Sequence, residues 1–125
     1  MESGKLNKSF SFSTFHFPLS IFMIIYEITA TVRADLTEQY EKYMREQHIP
    51  DLLETGYFSG ARISRSGAER YRIQYEAHDQ KALDAYLATE AARLRADFLA
   101  HFSEGIELSR ENWEVLQIWE ENQKK

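Results

Sequence analysis

The chain has no cysteine, only two prolines and five glycines in 125 residues, and no apolar run near the roughly 20 residues that a membrane-spanning helix needs. Without thiols there can be no disulfide framework, no cysteine nucleophile, no zinc held by thiolates and no paired-cysteine metal carrier. Positive charge is also in short supply, with 15 Lys and Arg against 20 Asp and Glu and a formal net charge of −5. That balance argues against a protein that grips duplex nucleic acid by neutralising phosphates. No glycine-rich phosphate loop, nucleophile elbow or Ser/His/Asp order is present. What remains is a chain of one domain's length, 43% hydrophobic and 28% charged, in the range of ordinary globular proteins.

The composition changes sharply at one point. Residues 1–22 hold five of the eight phenylalanines and five serines, with Glu2 set against Lys5 and Lys8. The remaining residues therefore carry −6. Three readings of the leader stand side by side: a targeting peptide, an extra strand built on the Phe10–Phe12 and Phe15–Phe17 alternation, or sequence upstream of a natural start at Met23. The last is favoured, because Pro18 and Ser20 interrupt the apolar stretch and Glu27 follows it. The expected organisation is a non-domain leader over 1–22, a domain over 23–119 and a frayed tail over 120–125. A cytoplasmic location is the expectation that goes with it.

Within the domain, Ile24 to Val32 reads as a β-rich strand. Leu36, Tyr40, Tyr43 and Met44 then recur at helical spacing, with Asp35 or Thr37 as cap. Pro50 breaks or restarts that helix near His48, and Gly56 ends it. A strand from Tyr57 to about Arg65, a two-residue turn at Ser66-Gly67 and a strand from Tyr71 to Ala77 form a hairpin. In that last strand Tyr71, Ile73, Tyr75 and Ala77 alternate with charged and polar residues. Asp79 caps a second helix that offers Leu83, Tyr86, Leu87, Leu94, Phe98, Leu99 and Phe102 to the core, with a break near Thr89-Glu90 and an end at Gly105. A final strand is expected over Asn112 to Trp119. The order βαββαβ is the α+β, ferredoxin-like arrangement: a four-stranded antiparallel sheet with two helices on one face. The other face would then carry Arg72, Gln74 and Glu76 beside Trp113, Val115 and Trp119. Such a face is too aromatic for bare solvent, and a homodimer closing two of them together would cover it.

The segments Met23-Ile24-Ile25-Tyr26-Glu27, His48-Ile49-Pro50-Asp51, Thr55-Gly56-Tyr57-Phe58, Tyr71-Arg72-Ile73-Gln74-Tyr75 and Ala92-Arg93-Leu94-Arg95-Ala96-Asp97 together resemble a family of short bacterial proteins classed as a domain of unknown function. The resemblance covers Met23 to Trp119 and implies a dimeric α+β barrel type of fold. It implies no activity, cofactor or catalytic residue.

Several residues are candidates for chemistry. His48, with Asp51 three positions on, has the makings of a general base, or alternatively of a ring that satisfies backbone groups freed at Pro50. Arg62, Arg72, Arg93 and Arg95 can form an anion-binding cluster, with Tyr75 and Trp113 as neighbouring aromatics; salt bridging to the many acids is the plainer alternative. His78 and His101 lack partners at ligand spacing, so neither a metal nor a cofactor is expected. The strand Glu69 to Tyr75 lacks the glycine of an RNA-recognition module. Two functional readings follow: a non-catalytic homodimeric module that binds a small molecule in the inter-subunit cavity, or a cofactor-free enzyme of monooxygenase or isomerase type. Neither nucleic acid nor membrane is an expected partner.

Overall fold

The computed structural model describes residues 22–121, and the expectations for residues 1–21 and 122–125 lie outside that range. Strand β1 (Ile24–Val32) leads through a 3-10 turn (Ala34–Leu36) into helix α1 (Thr37–Tyr43), a π-helical segment (Met44–His48) and helix α2 (Ile49–Glu54). Strands β2 (Phe58–Ser66) and β3 (Arg70–Ala77) follow, then helices α3 (Gln80–Thr89) and α4 (Ala91–His101), and finally β4 (Ile106–Glu114). The strands form one antiparallel sheet in the order β2-β3-β1-β4, the βαββαβ topology expected. Among the described residues no helix is long and apolar enough to cross a membrane.

Local chemistry explains the boundaries. Asp79 caps α3 as expected, its carboxylate accepting from the Ala82 amide at 2.8 Å, a contact that contributes about 1 kcal/mol. Neither expected cap serves α1. Asp35 instead holds Arg33 at 2.6 Å, and the Thr37 hydroxyl donates to the Ala34 carbonyl at 3.2 Å. Pro50 lacks an amide hydrogen, and its ring would strike the carbonyl four residues back in an α-helix; the helix widens to π geometry just before it and restarts with the proline in its first turn. The hairpin turn is three residues, 67–69, rather than two, with Gly67 at φ +68° taking the left-handed position. The second helix does break, between Thr89 and Ala91. Gly105 does not end it: α4 stops at His101, and Gly105, at φ +89°, turns the chain into β4.

The alternation in β3 buries Tyr71, Ile73, Tyr75 and Ala77 under the helices. From β1 they are joined by Ile24, Tyr26, Ala30 and Val32, and from the helices by Tyr40, Leu52, Leu83, Tyr86, Leu94 and Phe98. The expectation that Leu87 and Leu99 enter this core is corrected, since both are exposed.

The larger correction concerns the last strand. It occupies Ile106–Glu114, not Asn112–Trp119, and residues 115–120 have no regular structure. Register with β1 places Trp113, Glu111, Ser109 and Glu107 opposite Ile25, Glu27, Thr29 and Thr31 on the open sheet face. Trp119 therefore does not form a row with Trp113, whereas the Val115 amide continues the pairing to the Met23 carbonyl at 2.9 Å. The open face is mostly polar, with its β4 and β1 half acidic at Glu107, Glu111 and Glu27, and its β3 and β2 half carrying Arg70, Arg72 and Arg62 with Glu76 at one end. Within one chain Arg72 reaches across to Glu27 at 3.8 Å, and Gln74 donates to the same carboxylate oxygen at 3.1 Å.

Candidate functional site in the helix–sheet cleft

Between the sheet and its helices lies a cavity of about 140 Å³. Its floor and walls are apolar: Ile28, Ile73 and Tyr75 from the sheet, Tyr40, Met44 and Leu52 from the first helical layer, Tyr86, Leu94 and Phe98 from the second. Arg95 and Leu99 of α4 and Leu108 and Arg110 of β4, all exposed, also line it, so the cavity opens between α4 and the edge strand. Tyr26 lies beside Arg95, whose guanidinium donates to the Tyr26 hydroxyl at 3.3 Å.

His48 forms part of the wall. Its ring packs between Tyr43 and Phe98, with centroids 5.7 and 5.8 Å away. Its Nδ1 is buried without a hydrogen-bond partner among the described residues. Burial lowers its pKa from the ordinary 6.5 to about 4, helped by the positive charge of Arg110 and opposed by Asp51 and Asp97. The imidazole is therefore neutral at physiological pH and can accept or donate one proton. Burial raises the phenols of Tyr40, Tyr75 and Tyr86, so all three stay protonated.

The wall is braced from outside. Tyr43 donates to the Asp97 carboxylate at 2.7 Å, and Gln47 donates to the same oxygen at 3.4 Å, which ties the π segment to α4. Across α1, Glu41 accepts from Tyr71 at 2.7 Å and from Arg65 at 2.8 Å. Those contacts, the Tyr71 hydrogen bond foremost, hold the Glu41 carboxyl below its usual range.

The structure divides the residues singled out in the sequence. His48, Tyr75 and Arg95 share the cavity, whereas Asp51 sits on α2 outside its lining and acts on His48 only through charge. Arg62, Arg72 and Trp113 lie across the sheet on the open face, so no single arginine cluster unites them with Arg95. Arg110 takes their place beside Arg95, and it was hidden by the misplaced last strand. A cue for it was present: Ile106 and Leu108 precede Arg110 at period two. Arg93, next in sequence to Arg95, points elsewhere and pairs with Glu90 at 2.8 Å. Among the described residues no three His, Cys, Asp or Glu side chains gather as a metal site.

A family model for a domain of unknown function, DUF4286, matches residues 23–116. The chain belongs to the DUF4286 family. The match begins at the Met23 strand and ends just past β4. No curated protein matches the chain. Solved structures share its fold at low identity. A conserved protein of unknown function from Bacteroides thetaiotaomicron, described as a "possible oxidoreductase", is 16% identical with a TM-score of 0.62, covering 76% of this chain and 99% of its own. A dimeric ferredoxin-like protein from an uncultured marine organism is 15% identical with a TM-score of 0.60, over 78% and 99%. A "putative antibiotic biosynthesis monooxygenase" from Nitrosomonas europaea is 19% identical with a TM-score of 0.58, over 82% and 96%. The DUF4286 chain thus has the ferredoxin-like fold of these neighbours.

Proposed function

We propose that this protein is a small-molecule-binding module that uses the cleft between its helices and its sheet and works as a homodimer joined through the open sheet faces. The observation that carries the binding reading is the lining of the cleft: a ring-rich apolar interior, a buried neutral imidazole with a free nitrogen, and two arginines at the mouth. Few convergent polar groups in a largely apolar concavity are what orient a small ligand. The expected inter-subunit cavity is replaced in this reading by one that lies within a single chain, on the other side of the sheet.

For the dimer, support comes from the charge division of the open face. A two-fold axis lying along the strands sets the acidic β4 half of one copy over the basic β2 half of the other. Trp113, on that face, is exposed in one chain, and a second copy offers it cover. A ferredoxin-like neighbour is described as dimeric. Native mass spectrometry of the protein purified from its own cells tests both parts. The expected spectrum shows twice the chain mass plus a retained small molecule, with the dimer loosening as salt screens the facing charges. A single-chain mass at micromolar protein would count against the sheet-face dimer.

The cofactor-free enzyme remains the second reading, and the buried, neutral His48 Nδ1 favours it, because that atom is a ready proton acceptor. The neighbour described as a monooxygenase points the same way. On this reading His48→Gln stops conversion of the retained molecule while leaving it bound. A retained molecule that the wild-type chain leaves unchanged would favour the binding module.

A further inference from the structure

The cleft's occupant can be narrowed by its charge and its size, on the reading that the cleft is the binding site. We infer that it is a single-ring aromatic carboxylate, its ring among Tyr40, Tyr75, Tyr86 and Phe98 and its carboxylate between Arg95 and Arg110.

Charge supplies the first argument. The protein carries more acids than bases, yet no Asp or Glu lines this cavity and two arginines do. Arg33, Arg45, Arg65, Arg72 and Arg93 each hold a carboxylate. Among the described residues Arg62, Arg70, Arg95 and Arg110 hold none; Arg62 and Arg70 lie on the open sheet face, whereas Arg95 and Arg110 line the cavity, where Arg95 donates to the neutral Tyr26 hydroxyl. In an acidic protein, two guanidiniums kept clear of carboxylates at the mouth of one cavity form a receptor for an external anion. A guanidinium also matches a planar carboxylate better than a point charge does.

Size and surface supply the second. About 140 Å³ is close to the roughly 150 Å³ of an apolar cavity known to hold benzene. A single ring matches that volume, while a fused ring system or a long acyl chain would have to reach out through the mouth. Aromatic walls favour a ring over a saturated chain of equal volume, through edge and offset contacts. Inorganic phosphate could satisfy the arginines but would leave the apolar floor unfilled.

Ligand-observed NMR titration of the full chain with benzoate, hexanoate and benzyl alcohol tests this, together with the double variant Arg95→Gln/Arg110→Gln. Both substituted side chains are exposed, so the fold should persist, and circular dichroism checks that it does. Benzoate is expected to bind at least about tenfold more tightly than hexanoate or benzyl alcohol, and the double variant to abolish that advantage while benzyl alcohol binds as before. Equal binding of benzoate and benzyl alcohol would overturn the anion assignment and leave the cleft as a site for neutral molecules. Equal binding of benzoate and hexanoate would overturn the ring. If none of the three binds, the cleft reading falls, and this inference with it.

Discussion

Truncating Leu83 to alanine is expected to cost about 3–4 kcal/mol of folding free energy, and truncating Ile73 to alanine only about 2 kcal/mol. Both side chains are completely buried, so burial alone does not separate them. Leu83 of α3 does not border the cavity, whereas Ile73, at the centre of β3, does. A side chain beside an existing void already lacks partners on one side and has fewer dispersion contacts to lose. Urea unfolding of both variants at neutral pH provides the comparison, with midpoints converted through a common slope. If Ile73→Ala proves the costlier of the two, the space above it is filled in the folded chain and the cleft is not a binding cavity.

The second large effect is a loss of stability on acidification that traces to His48. Its pKa is about 4 in the folded chain against an ordinary 6.5. As the pH falls below 6.5, the unfolded chain takes up a proton on this ring while the folded chain does not. The folded state loses ground through that window, and the loss is complete just below pH 4. Its full size is about 3 kcal/mol. Glu41, whose carboxyl is lowered by Tyr71 and Arg65, adds a loss further down, as the pH passes below its own ordinary range. His48→Gln isolates the first component, because glutamine does not titrate. Wild type and variant measured at closely spaced pH values should converge between pH 6.5 and 4, the wild type losing stability faster. Parallel curves would mean that the ring is hydrated enough to keep its ordinary pKa.

The parts of the fold most legible in the sequence were those where one face is buried and the other wet. In β3, Tyr71, Ile73, Tyr75 and Ala77 announce a strand because helices cover one side of it and solvent meets the other. The Asp79 cap and the break at Pro50 were readable because each depends on a local rule of backbone hydrogen bonding. Strand β4 was not readable in this way. As an edge strand beside an open cleft it buries little, so Ile106–Glu114 is mostly polar. The aromatic alternation from Trp113 to Trp119 offered a stronger but false pattern. That displacement hid Arg110, and with it half of the charge at the mouth of the site. His48 and Arg95 could be singled out by residue type, and the β3 alternation set Arg72 on the far face, but the β2 register was needed to set Arg62 there beside it.

The π segment between α1 and α2 has a further consequence. A π turn spends more residues per revolution than an α turn, so Met44–His48 amounts to an insertion absorbed within a helix. Deleting one residue there would let the turn rewind to α geometry, and because each remaining residue then turns further, α1 and α2 would keep nearly the same phase. His48 would stay on the cavity side, but Pro50 would meet the carbonyl it now avoids. The extra residue thus lets a proline sit in the first turn of α2 without turning the wall away from the cavity.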